Sequence, residues 1–195
     1  MKLTLRGIVF SALFAALLVL FGYISIPLGF TPVPITLQTL AVMLAGALLG
    51  PLYGFLSVTL VIVLTALGFP LLHGVGGLQA LLGPTGGYIF MWPFSALLIG
   101  LLLPRIKLSG LAGYASAFAV LLVFGSWLLY VSGVPWLAQA TGITLEKAMI
   151  GGCYPYLLGD AIKAAAALVI TIPLRQVFPA ERLTGTAGGK VVTLD

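Results

Sequence analysis

Long apolar runs alternate along this chain with short breaks marked by glycine and proline and hardly ever by charge. No Asp, Glu, Lys or Arg occurs between Arg6 and Arg105, and none again between Lys107 and Glu146. Several runs approach or exceed the roughly 18 residues that read as a membrane span. Six helices are predicted, at 7–26, 37–50, 52–68, 87–103, 111–131 and 155–174. The second and third are short and joined through "LLGPLYG", which suits tilted or partly buried helices. The first follows Lys2 and Arg6 as a signal peptide would. It is nevertheless long enough to span, and no small-residue cleavage pattern follows it. The fold class is then an all-α membrane protein: a compact six-transmembrane-helix bundle over 1–182, followed by a polar C-terminal tail at 183–195.

Two breaks carry no charge at all: "PLGFTPVPITLQ" (27–38) and "GFPLLHGVGGLQALLGPTGG" (68–87). Irregular backbone at membrane depth is tolerated only where protein buries it or where it lines a cavity. Both loops therefore read as lids packed over a site. The stretch 132–154 is expected to be a linker holding an interfacial helix anchored by Trp136. Lys2, Arg6, Arg105, Lys107, Arg175, Arg182 and Lys190 all fall on one side of a six-span bundle, with Lys147 opposite. The positive-inside rule puts that side, with both termini, in the cytoplasm of a multi-pass cell-membrane protein. The lids then cap a cavity on the external side.

Composition narrows the class further. Apolar residues make up 61% of the 195-residue chain and charged residues 7%, against about 25% charged in a soluble domain. The net charge of +5 would suggest nucleic acid in a soluble protein, but here the basic residues sit at helix ends and set topology. The single cysteine, Cys153, excludes an intramolecular disulfide and reads as packing. There is no GxxxxGK[ST] phosphate loop, no HExxH and no clustered metal ligands. Nothing in the chain reads as an enzyme or as a cofactor site, and His73 reads as an isolated loop histidine.

Candidate chemistry centres on "PYLLGDAIKAAAALVITIP". Asp160 and Lys163, at i and i+3, share one helix face about 5–6 Å apart at Cβ. With Pro155 in the first helical turn, Asp160 lies about 7–8 Å below the outer end. Each charge costs roughly 2.5–3.5 kcal/mol near the membrane centre, so neither is placed there idly. An acceptor-only carboxylate beside a donor-only ammonium suits a neutral group presenting N–H next to C=O, such as a urea. A structural ion pair and a proton relay are the other uses of the same pair. Gln38, Gln79 and Thr36 lie on or beside the lids and join the candidate ligand contacts. Gly86 and Gly87 open the fourth helix, where free N–H groups and bare backbone admit a ligand. Tyr88, Trp92, Tyr154 and Tyr156 are candidate pocket walls or interfacial belt residues. Ala12 and Ala16 form a small-xxx-small pattern for internal helix packing or for docking on another membrane subunit.

Three stretches, "TPVPITLQTLAVMLAGALLGPLYG" (31–54), "GGLQALLGPTGGYIF" (76–90) and "YLLGDAIKAAAA" (156–167), resemble the BioY family, the biotin-binding S component of energy-coupling factor (ECF) transporters. The resemblance implies a six-helix bundle that binds biotin near the external side, with Asp160 and Lys163 on its polar groups. It implies a partnership with a transmembrane coupling subunit and paired ABC-type ATPases, docked at Ala12 and Ala16. Biotin would be the transported ligand, with no cofactor. Self-association as a homo-oligomer stays open, and the alternative is a self-sufficient proton-coupled vitamin transporter.

Overall fold

In the computed structural model the described residues are 3–185. Lys2, Lys190 and the tail from 186 onward lie outside them. Helix α1 (Leu5–Tyr23) starts at Thr4, whose hydroxyl accepts from Gly7 N at 3.0 Å, satisfying one of the free donors of the first turn. A two-residue strand, β1 (Ser25–Ile26), pairs antiparallel with β2 (Ile35–Thr36), so the first lid is a hairpin with Ile26 opposite Ile35. Helix α2 (Gln38–Ala66), α3 (Leu78–Leu82) and α4 (Gly86–Leu102) follow. The chain continues through α5 (Gly110–Leu122), a π-helical turn at Val123–Trp127 and α6 (Leu128–Thr141). It ends with α7 (Leu145–Gly152), α8 (Leu157–Val177) and α9 (Ala180–Thr184). Among the described residues, five helical stretches are long and apolar enough to cross a membrane: Leu5–Tyr23, Gln38–Ala66, Gly86–Arg105, Gly110–Thr141 and Leu145–Val177.

Helix α2 covers both the second and third predicted helices, and it is broken between them. Gly50 takes φ 77° and ψ −174°, ahead of Pro51. Positive φ is open to glycine and costs other residues steric strain. Pro51 then starts the second leg where no N–H is needed. The legs fold back on each other: a Cβ on Gly54 would lie only 2.9 Å from Ala45 O and 3.0 Å from Gly46 Cα. In a straight helix eight residues separate Gly46 from Gly54 by about 12 Å, so glycine at 54 is what lets the legs touch.

Helix α4 lies against this hairpin. A Cβ on Gly46 would meet Ala96 Cα at 3.0 Å, and one on Gly100 would meet Pro51 Cα at 2.7 Å. Small residues supply such close approach in membranes, where apolar burial between helices gains nothing over lipid. Ala164 and Ala167 of α8 are fully buried in the core with Leu44, Leu48 and Leu121. The two described chain ends meet beside the Gly50 turn: Thr4 N donates to Tyr53 Oη at 2.8 Å, and Thr4 Oγ1 donates to Thr184 O.

The expected linker at 132–154 is not a linker. Helix α6 runs through Pro135 to Thr141, and Thr144 caps the start of α7 by accepting from Lys147 N. Trp136 faces inward and donates from Nε1 to Gly83 O at 2.9 Å, so it ties α6 to the second lid instead of anchoring an interfacial helix.

Filling the contact between the α2 legs with Gly54→Val overpacks it and should cost about 1–3 kcal/mol. Gly50→Ala forces a residue with a Cβ into a positive-φ, extended region open almost only to glycine, at about 1–3 kcal/mol. Thermal unfolding of the detergent-purified protein should show lowered midpoints for both. A Gly54→Val variant melting with the wild type would mean that the legs do not close on each other.

Candidate functional site

A cavity of about 250 Å³ opens at the end of the bundle away from the chain termini. Helices α2, α4 and α8 contribute their first turns to its wall, with α6 and the preceding π turn completing it. Both charge-free loops contribute, through Val33, Pro34 and Thr36 on one side and Leu72 to Thr85 on the other. They are tied to the helices beneath. Tyr156 Oη donates to Val33 O at 2.5 Å, and His73 Nδ1 donates to Gly22 O at 2.8 Å. His73 reaches that position with φ 53°.

Asp160 and Lys163 sit in this wall at 4% and 8% exposure. Lys163 Nζ donates to Asp160 Oδ1 at 3.1 Å and to Thr39 Oγ1 at 3.1 Å. Asp160 Oδ2 accepts from the hydroxyl of Tyr130. Each charge therefore has its opposite charge plus a neutral hydroxyl partner, as burial of ions demands. Neither group is exhausted: the ammonium keeps an N–H and the carboxylate keeps lone pairs. Tyr130 is held in turn by an edge-to-face contact with Tyr88, ring centroids 6.3 Å apart, and Tyr88 Oη donates to Gly152 O at 2.8 Å.

The other predicted residues divide. Gln38 is 1% exposed in the wall, its Nε2 has no partner, and its backbone N–H is capped by Thr36 Oγ1 at 3.3 Å. Gln79 lies at the rim on α3 and is exposed. Tyr88, Trp92 and Tyr156 line the cavity, whereas Tyr154 points outward at 57% exposure. Gly86 and Gly87 do not line it. They are buried where Trp136 packs on the start of α4 (a Cβ on Gly86 would meet Trp136 Nε1 at 2.9 Å), and Gly83, Pro84 and Thr85 form the wall instead. Ala12 and Ala16 are exposed on the outer face of α1, while Ser11 and Ala15 face the bundle. Cys153 is buried in the apolar core.

Sequence reasoning missed Tyr130, Thr39 and Ser126. A tyrosine or serine inside an apolar run gives no signal by itself. Only the pairing of α6 with α8 reveals that Tyr130 meets Asp160.

The model of the BioY family matches residues 1–180. The biotin transporter BioY of Lactococcus lactis subsp. cremoris is 36% identical over 173 residues, covering 88% of this chain and 91% of that protein. The biotin transporter BioY of Rhizobium etli is 40% identical over 170 residues, covering 85% and 90%. A crystal structure of the S-component for biotin from an ECF-type ABC transporter superposes with a TM-score of 0.81 at 36% identity, covering 88% of this chain and 91% of that one.

The ion pair itself generates a prediction. Lys163→Met leaves a buried carboxylate short of its cation and should cost about 3–5 kcal/mol. The double variant Asp160→Asn with Lys163→Met removes both charges and should recover part of that loss. Chemical unfolding in detergent measures both. A double variant no more stable than Lys163→Met would show that the two charges are not coupled.

Proposed function

This chain belongs to the BioY family, and we propose that it captures biotin outside the cell as the substrate-binding S component of an ECF-type ABC transporter. The observation that carries this reading is the Asp160–Lys163 pair, buried in the wall of a lidded cavity with bonding capacity left over. The ureido ring of biotin presents N–H groups beside a C=O, so the carboxylate accepts from an N–H and the ammonium donates to the oxygen. Apolar wall residues such as Leu129, Ile89 and Trp92 suit the thioether ring and the aliphatic chain. The protein is a multi-pass membrane transporter and not an enzyme.

On this reading the two legs of α2 each cross the membrane, giving six spans over 1–182. Arg6, Arg105, Lys107, Arg175 and Arg182 belong to the end opposite the cavity, which the positive-inside rule assigns to the cytoplasm together with both termini. The cavity then opens externally, under the hairpin at 25–36 and the α3 loop. Gln38, Gln79 and Thr36 join the ligand shell, while Gly86 and Gly87 support it by admitting Trp136. Ala12 and Ala16, exposed on α1, offer a smooth strip for a transmembrane coupling subunit. Paired ABC-type ATPases on that subunit supply the energy. The proton-coupled alternative finds no support: Asp160 is ion-paired with Lys163, and it is the one acid among the described residues that line the cavity.

Isothermal titration of the purified chain with biotin should give saturable binding that Asp160→Asn weakens about tenfold or more. The basis is that a hydrogen bond to a charged group contributes about 1.5–3 kcal/mol and each 1.4 kcal/mol is tenfold. Unchanged affinity would remove Asp160 from the ligand shell. Ala12→Trp should keep wild-type biotin affinity yet abolish co-purification with the coupling subunit. Persistent co-purification would move the docking face elsewhere.

A further inference from the structure

We infer that Trp92 and Ser126 form a donor subsite on the cavity floor that takes the ureido carbonyl oxygen of the ligand, an inference that rests on the biotin reading above. The placement follows from how α4 and α6 pair. Trp136 Nε1 donates to Gly83 O, Ser132 Oγ donates to Gly87 O at 2.8 Å, and the ring of Tyr130 meets that of Tyr88. Rising numbers on α4 thus match falling numbers on α6, so the helices are antiparallel. The next layer inward, about one turn or 5–6 Å deeper, matches Trp92 with Ser126. Lys163 is likewise deeper than Asp160, because α8 enters from the cavity end.

Both residues are almost completely buried, Trp92 at 5% and Ser126 at 1% exposure, and both line the cavity. Neither Trp92 Nε1 nor Ser126 Oγ has a hydrogen-bond partner. A serine inside a helix ordinarily returns its hydroxyl to the carbonyl four residues back, as Ser116 does to Ala112 O at 2.8 Å. Ser126 does not, and it lies within the π-helical turn Val123–Trp127. Such turns are rare, carry an altered side-chain register and recur at functional sites. Buried polar groups are nearly always satisfied, so these two orphans, with Gln38 Nε2 as a third on the same cavity wall, point to a ligand that satisfies them.

The chemistry of the orphans selects the ligand atom. Indole N–H donates only, a hydroxyl donates readily, and the ammonium of Lys163 has an N–H to spare. The floor therefore presents donors and wants an acceptor oxygen, while Asp160 above it wants an N–H. A ureido group delivered oxygen-first satisfies both levels at once.

The test uses Trp92→Phe and Ser126→Ala in the purified full chain, with affinity for biotin, 2-iminobiotin and biotin amide measured beside the unfolding midpoint of the ligand-free protein. Each variant should lose biotin affinity about tenfold, while the ligand-free midpoint stays level or rises, since an unsatisfied donor has been removed. Affinity for 2-iminobiotin, in which N–H replaces the carbonyl oxygen, should change much less, and biotin amide should follow biotin. Unchanged biotin affinity in both variants, beside a wild type that binds, would overturn the subsite alone. So would an equal loss for 2-iminobiotin, a loss that disappears with biotin amide, or lowered midpoints that account for the lost binding. A wild type that binds no biotin would overturn the biotin reading and this inference with it.

Discussion

Two opposite charges held 3.1 Å apart in the cavity wall organise the cavity end of this molecule. Asp160 and Lys163 are stable there only because each has its partner and a hydroxyl besides, from Tyr130 and Thr39. That requirement fixes neighbours on three helices. Tyr130 must stand on α6 facing α8, Thr39 must sit in the first turn of α2, and Tyr88 on α4 must brace Tyr130. A change to any of these is a change to the charge pair, since in low dielectric an unpaired ion is far costlier than a lost neutral contact.

The rest of the bundle makes that arrangement reachable with little hydrophobic driving force between helices. Glycine and alanine replace bulk at the crossings: Gly46 and Gly54 close the α2 hairpin onto itself and onto α4, and Ala164 and Ala167 let α8 approach the core. Gly50, with its positive φ, folds α2 back so that both its free ends return toward the lids. The loops above are secured to the helices by polar contacts, Tyr156 to Val33 O at the first lid and His73 to Gly22 O, Gly77 N to Thr65 O and Trp136 to Gly83 O at the second.

Much of this was legible in the residues. The charge-free runs announced membrane helices, and Asp160 and Lys163 marked a candidate site because ions are expensive in such surroundings. Gly50–Pro51 marked the break in α2 for a physical reason, the pairing of a positive-φ residue with one lacking N–H. What was illegible depended on tertiary context. The stretch 132–154 read as a linker with an interfacial helix anchored by Trp136, yet α6 continues through Gly133 and Pro135 with Tyr88 packed against Gly133, and a proline can be carried where neighbours restore the freed carbonyl. Gly86 and Gly87 read as bare backbone for a ligand, but Trp136 occupies that space. Ser126 was invisible because the register shift of a π turn leaves no mark in hydrophobic periodicity.

On the proposed reading the polar ligand contacts are stacked by depth: an acceptor at Asp160, then donors at Lys163, Trp92 and Ser126 beneath it. The most direct test is a crystal structure of the chain with biotin bound. The ureido ring should lie against α8, with an N–H on Asp160 and its oxygen turned toward Lys163 and the cavity floor. Biotin found elsewhere, or in the cavity with its ureido ring turned away from Asp160 and Lys163, would contradict that reading.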